Sequence, residues 1–152
     1  MPGVTNGYLQ DLGKEIIGKT FLGSFPCDMQ PNPRLKNKFS VIFNLSKHNE
    51  KGTHFVAIFA DSTRLLYFDP LGNACKNKKI LEFLTKHKYH RKIRKKFPKI
   101  QSDESIFCGY FCIGFILAMT NNIPLKKFFS LFDYDDLNKN DSIIIEFIHN
   151  NV

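Results

Sequence analysis

Cys108 opens the segment C-G-Y-F-C-I-G-F-I-L-A-M-T, residues 108–120, and has both the residue type and the setting of a nucleophile. The segment is almost wholly apolar and too long for a typical strand, which predicts a buried central helix, with Ser105 or Asp103 near its start as a cap. A thiol in the first turn of a helix sees the positive end of the helix dipole, and this favours the thiolate. The plainer reading is a buried cysteine acting as a small hydrophobe, and Cys112, one turn deeper, is read that way.

A thiolate nucleophile needs an imidazole to share its proton and a third group to orient that imidazole. His54 begins the strand-like run H-F-V-A-I-F-A directly after Gly52-Thr53, and Asp69 ends R-L-L-Y-F-D just before Pro70. Asp61-Ser62-Thr63 between the two runs predicts a hairpin, which brings His54 and Asp69 to the same open end of a sheet. Each alone has an ordinary reading, a surface histidine at a loop edge or an aspartate opening a turn. Their shared placement singles them out. Acyl transfer also requires donors for an oxyanion. Gln101 lies seven residues before Cys108, close enough for a loop to return its amide beside the thiol, while the Cys108 backbone N–H supplies a second donor. Gly109 leaves room for another segment to pack behind the nucleophile.

The elements that must position these residues are legible in part. Residues 7–18 predict a short helix with Leu9, Leu12, Ile16 and Ile17 on one side. F-L-G-S-F-P-C-D-M-Q-P-N-P-R, with three prolines, is expected to be a long connecting loop. Residues 38–46 predict a strand, followed by a polar loop over 47–53, so that a central antiparallel sheet is implied. Ile80, Leu81, Phe83 and Leu84 suit an amphipathic helix from Lys78 to His90, and further helices are expected around 124–132 and 142–150. The fold class is α+β, with helices packed on a small mixed or antiparallel sheet.

Composition limits what these motifs can mean. With 152 residues, 43% of them hydrophobic and Phe occurring 16 times, the chain is expected to form one packed domain, 1–152. The longest apolar run, Phe111 to Met119, is too short to span a membrane, and M-P-G-V-T-N-G-Y-L-Q lacks the order of a signal peptide, so a soluble, non-secreted protein is expected. Cys27, Cys75, Cys108 and Cys112 are read as free thiols. The five histidines, His48, His54, His87, His90 and His149, show no paired spacing for a metal. The net charge of +8 is concentrated between Lys86 and Lys99, eight cations without an acid. Lys88, Arg91, Lys92, Arg94, Lys95 and Lys96 within it are candidate DNA contacts; a solvated helix face or a nuclear-localisation signal is the blander reading.

Taken together, four blocks resemble the adenovirus-protease (adenain) family, which includes proteases of virophages and Maverick-type elements. Q-S-D-E-S-I-F-C-G-Y-F-C resembles the family's nucleophile segment. G-T-H-F-V-A-I and L-Y-F-D-P-L-G are similar to the blocks holding its histidine and acid. D-L-G-K-E-I-I-G-K-T-F-L-G-S-F-P is similar to its N-terminal region. The matches follow family order from about Asp11 to Asn121. Phe55 stands where relatives have Trp, and Asp69 where adenain has Glu. Papain-like enzymes, with Gln and Cys first, fit poorly.

The resemblance implies an adenain-type fold with His54, Asp69 and Cys108 as triad and Gln101 in the oxyanion hole. It implies a cysteine endopeptidase cleaving after glycine, at Gly-Gly or Gly-X, in viral capsid or core precursors during virion maturation. Such an enzyme is expected in the virion and the infected cell, nucleus or virus factory, as a monomer that needs no cofactor for its chemistry and uses DNA as an activator. That family also holds an activating peptide through a disulfide; Lys86–Lys99 contains no cysteine, so the same route here would require Cys75 or Cys27 in a different geometry. Two other readings compete: a SUMO- or ubiquitin-like-specific isopeptidase with the same order of site residues, and a non-catalytic nucleic-acid-binding protein.

Overall fold

The computed structural model describes residues 4–34, 36–49 and 54–152. Among them the chain runs α1 (Asn6–Ile16), β1 (Phe21–Pro26), β2 (Phe39–Asn44), β3 (Phe55–Ala60), β4 (Arg64–Phe68), α2 (Lys78–His87), β5 (Lys92–Arg94), α3 (Cys108–Thr120), α4 (Leu125–Phe129), a 3-10 turn over Leu137–Lys139, and α5 (Asn140–Asn150). The strands form one sheet in the order β1-β2-β3-β4-β5. The class is the α+β arrangement expected, with helices on both faces of the sheet.

The three central strands are nearly continuous apolar runs because both of their faces are covered. Side chains alternate strictly. Phe39, Val41, Phe43, Val56, Ile58, Ala60, Leu65 and Tyr67 pack with Ile80, Phe83 and Leu84 of α2, while Ile42, Phe55, Ala57, Phe59, Leu66 and Phe68 pack with α1, α3, α4 and α5. Registers such as Val41 opposite Ile58 and Ile58 opposite Tyr67 hold this division across the sheet. The thicker helical side is an aromatic core, with Phe68 stacked on Phe115 at 4.4 Å between ring centres and Phe97 on Phe129 at 5.4 Å. α3 is apolar on all sides because it lies between the sheet and α5. Gly114 allows that close packing, since a Cβ there would lie 2.3 Å from Ile144 Cδ1.

Several sequence expectations are corrected. The proline-containing segment after Thr20 is not all loop: Phe21–Pro26 is an edge strand, parallel to β2, with its proline at the last position, where an edge tolerates it. The sheet is therefore mixed, with β5 also parallel to β4. The helix expected to reach His90 ends at His87, and the chain then makes a left-handed step at Tyr89, φ 49°, into β5. At the start of α3 no side chain caps the helix directly. Ser105 instead accepts from the Phe107 N–H at 3.1 Å, and Asp103 pairs with Lys99. No helix among the described residues is long and apolar enough to cross a membrane.

Candidate active site

The β3–β4 hairpin does what its turn sequence predicts. Asp61 closes one end, its carboxylate accepting from the backbone N–H groups of Thr63 at 3.0 Å and Arg64 at 2.8 Å. The register pairing Ala57 with Phe68 then puts His54 and Asp69 at the opposite, open end. His54 Nε2–H donates to Asp69 Oδ1 at 2.7 Å, and the Leu71 N–H donates to the same oxygen at 2.9 Å. Nδ1 is the ring nitrogen that Asp69 does not engage, and the Cys108 side chain lies near enough to the ring to favour its charged form. Gly52-Thr53, expected to lead into His54, lie outside the described residues. Cys108 is the first residue of α3, as expected for a thiol at the positive end of the helix.

The electrostatics match the geometry. Burial is the largest influence on the His54 ring and disfavours its charged form, but the hydrogen bonds and negative charge of Asp69 and Cys108 outweigh it and hold the imidazolium up to a pKa of about 9. Asp69, 4% exposed, holds the ring through the oxygen that also accepts from Leu71, so the carboxylate fixes the ring's tautomer and plane. Cys112 is fully enclosed, and burial pushes its thiol well above the usual range, so the two helix cysteines are chemically distinct. All four cysteines are free.

Gln101 reaches the same region by a route the sequence does not display. After Asp69 the chain turns through Pro70-Leu71-Gly72, closed by the Gly72 N–H on the Asp69 carbonyl at 2.8 Å. The Pro70 carbonyl then accepts from both Ile100 and Gln101 N–H groups at 3.0 Å each. Gln101 thus sits between the turn that follows Asp69 and the loop leading into Cys108. Its Nε2 gives one hydrogen to the Ser105 carbonyl at 3.0 Å, while Oε1 is buried without a partner. The second amide hydrogen remains for another acceptor.

Three residues that sequence reasoning missed hold this loop. Gly72 adopts φ +80°, and a Cβ on it would lie 2.9 Å from the Lys99 backbone nitrogen and Cα. Asn140, fully buried, donates to the Ile100 carbonyl at 2.8 Å and the Asp133 carbonyl at 2.9 Å. Asp141 accepts from the Ser105 hydroxyl at 2.7 Å. The start of α5 therefore clamps the segment carrying Gln101, and an Asn-Asp pair at a helix start carries no sequence signal of that task. Gly109 behaves as expected, since a Cβ there would meet Val4 Cγ2 at 2.5 Å and Leu9 Cδ1 at 2.9 Å.

The basic run divides. Lys88, Lys92, Arg94, Lys95 and Lys96 are exposed. Arg91 is corrected: it is 5% exposed, and its guanidinium donates to the backbone carbonyls of Asp61, His87, Lys36 and Asn37 at 2.6–3.1 Å. It staples the hairpin turn, α2 and the loop before β2, and has no face left for a phosphate. Arg94 lies over the Phe97 ring at 4.1 Å, and Lys99 is engaged by Asp103.

No protein-family model matches this sequence, and no curated protein matches it. Solved structures do. The chain is similar to the ASFV pS273R protease, known from its selenomethionine crystal structure, with a TM-score of 0.64 and 18% identity over 97% of this chain and 67% of that one. It is also similar to the central domain of the uncharacterized Lpg1148 protein from Legionella pneumophila, with a TM-score of 0.59 and 11% identity over 99% of this chain and 96% of that domain. At these identities the likeness establishes architecture: the mixed sheet flanked by helices is a fold that this chain shares with the ASFV protease.

Proposed function

We propose that this chain is a cysteine endopeptidase, with Cys108 as nucleophile, His54 as its acid–base partner, Asp69 as the group that orients His54, and Gln101 with the Cys108 N–H as oxyanion donors. The observation that carries this reading is the His54–Asp69 hydrogen bond of 2.7 Å, formed at the sheet end where the first residue of α3 presents a thiol to the same ring. The protease fold of the ASFV neighbour supports it.

In this reading the Cys108 thiolate attacks the scissile carbonyl carbon, and the oxygen takes up the negative charge between the Cys108 N–H and the free Gln101 amide hydrogen. His54, held as the imidazolium through neutral pH, gives its proton to the departing amine, leaving a thioester on Cys108. The now neutral His54 draws a proton from water, which attacks the thioester and releases the new carboxylate and the thiol. Asp69 keeps the imidazole in one tautomer throughout.

The sequence resemblance supports cleavage after glycine in capsid or core precursors of a virus, during virion maturation in the infected cell. It also supports DNA as a partner, with Lys88, Lys92, Arg94, Lys95 and Lys96 as the contacts that remain once Arg91 is withdrawn. Such binding would be independent of sequence, because phosphate contacts position a protein without reading bases. The direct experiment is to incubate the protein with peptides containing Gly-Gly and Gly-Ala and to analyse the products by mass spectrometry. Scission on the carboxyl side of glycine in wild type, absent from Cys108→Ala, is the expected result. Intact peptides with both proteins would overturn the reading.

A further inference from the structure

Resting on the peptidase reading, we infer that Ser105 and Asp141 are positioning residues for the oxyanion donor: the Ser105 carbonyl decides which end of the Gln101 amide serves the reacting carbonyl, and Asp141 holds Ser105 in place. A glutamine amide has a donating end and an accepting end of nearly the same shape, so its sense is set by its hydrogen-bond partners. The Gln101 side chain has one such partner among the described residues. Its Nε2 donates to the Ser105 carbonyl at 3.0 Å, and its buried Oε1 has none. Turning the amide over would set Oε1 against the Ser105 carbonyl, oxygen to oxygen, and leave Nε2 enclosed without an acceptor. It would also replace the free amide hydrogen by an oxygen lone pair, which repels an oxyanion.

The Ser105 carbonyl can set that choice because the residue is tied at each of its other polar groups. Its N–H donates to the Ser102 carbonyl at 3.1 Å, and its hydroxyl oxygen accepts from the Phe107 N–H at 3.1 Å. The hydroxyl hydrogen goes to Asp141 Oδ1 at 2.7 Å, which reaches it from the first turn of α5 across 36 positions of sequence. A carboxylate makes a stronger acceptor than a neutral group, so this is the firmest of the ties. Asn140, next to Asp141 in that turn, holds the Ile100 carbonyl at 2.8 Å. Two adjacent residues of one helix thus grip the chain on either side of Gln101. Ser105 in turn connects the Gln101 amide, through its carbonyl, to Phe107, the residue before the nucleophile, through its hydroxyl. A donor aligned in this way acts on charge that develops in the transition state, so its loss falls on kcat more than on KM.

The test is a double-mutant cycle read in kcat and KM on a Gly-Gly peptide. Ser105→Ala and Asp141→Ala are made in the wild type and in Gln101→Ala. Rates are taken per folded molecule, from circular dichroism, and slow variants are followed in single turnovers with the enzyme in excess. In the wild-type background each change should lower kcat by about tenfold, with KM within roughly twofold, since a misplaced donor loses part of the 10²–10³ that a missing one costs. In Gln101→Ala the same changes should cost less than about twofold, because no amide is left to position. Asp141→Asn, whose side-chain oxygen still accepts from Ser105, should recover most of the loss that Asp141→Ala shows. Losses of equal size in both backgrounds would mean that Ser105 and Asp141 support only the fold, and would overturn the inference while the peptidase reading stands. Unchanged kcat per folded molecule in either Ala variant overturns it in the same way. A wild-type protein that cleaves no Gly-Gly peptide overturns the peptidase reading, and this inference with it.

Discussion

Gly72 and Lys99 touch backbone to backbone: a Cβ on Gly72 would lie 2.9 Å from the Lys99 Cα and nitrogen. Through this contact the turn that follows Asp69 also positions Gln101, because the Pro70 carbonyl holds both Ile100 and Gln101 by their N–H groups. One four-residue turn thus connects Asp69, the proposed triad acid, to Gln101, the proposed oxyanion donor. Gly72→Ala is expected to combine left-handed backbone strain, about 1 kcal/mol or more, with displacement of the Gln101 segment. Gly18, at φ +93° with open space around it, provides the control for strain alone. Both Ala variants should lower Tm, and Gly72→Ala alone should lower kcat by more than its folded fraction explains. Equal kcat per folded molecule in the two would refute the link.

The two cysteines of α3 should behave oppositely. Cys108→Ala is expected to abolish cleavage with the fold intact. Cys112→Ala should keep substantial activity and lose roughly 1–2 kcal/mol of stability, as expected when a buried sulfur is removed from a packed helix. Iodoacetamide followed by peptide mapping should label Cys108 well before Cys112, whose enclosed thiol is pushed far up. Similar labelling rates at both would remove Cys108 from its role.

His54 provides the pH test. Its pKa is raised from 6.5 to about 9, so the folded state holds a proton that the unfolded state releases between these values. The stability contributed by this site is therefore full below about pH 6.5 and fades as pH rises through about 9. Asp69→Asn should lower the His54 pKa in an NMR titration and flatten the stability profile across that window. It should impair activity, and His54→Ala should nearly eliminate it. An unshifted titration in Asp69→Asn would show that the carboxylate does not hold the imidazolium.

Gln101→Ala should reduce kcat by about 10²–10³, the usual cost of one oxyanion donor. A Gln101→Glu variant, which keeps the shape and loses the donor, should be no better. Unchanged kcat in either would leave the Cys108 N–H as the operative donor and exclude the side chain.

For DNA, the corrected patch makes two separable predictions. If about four phosphates are engaged, log K against log salt should have a slope near −3.6, and the variant with Lys92, Arg94, Lys95 and Lys96 changed to Ala should flatten it. Arg91→Ala should instead destabilise the fold, by roughly 2–4 kcal/mol, because four backbone carbonyls lose their donor. Its folded fraction should still bind DNA. Salt titrations and urea unfolding check both, and a full loss of binding in folded Arg91→Ala would restore that residue to the interface.

The sequence by itself determined the parts that depend on local pattern. Short runs of β-branched and aromatic residues marked β2, β3 and β4, apolar length marked α3, and a three-residue turn between two strands was enough to bring His54 and Asp69 to one sheet end. Only the tertiary structure decided the rest. Phe21–Pro26 is a strand because β2 offers it an edge, not because its glycine and proline favour one. Arg91 reads like its cationic neighbours, yet it is consumed by carbonyls as many as 55 residues away in the chain. Asn140 and Gly72 hold the Gln101 loop through contacts to backbone, which leave no trace in residue type or spacing. Hydrophobic periodicity records how a segment meets the core, whereas a backbone carbonyl accepts equally from any donor the fold brings to it, so the scaffold was legible and its fastenings were not.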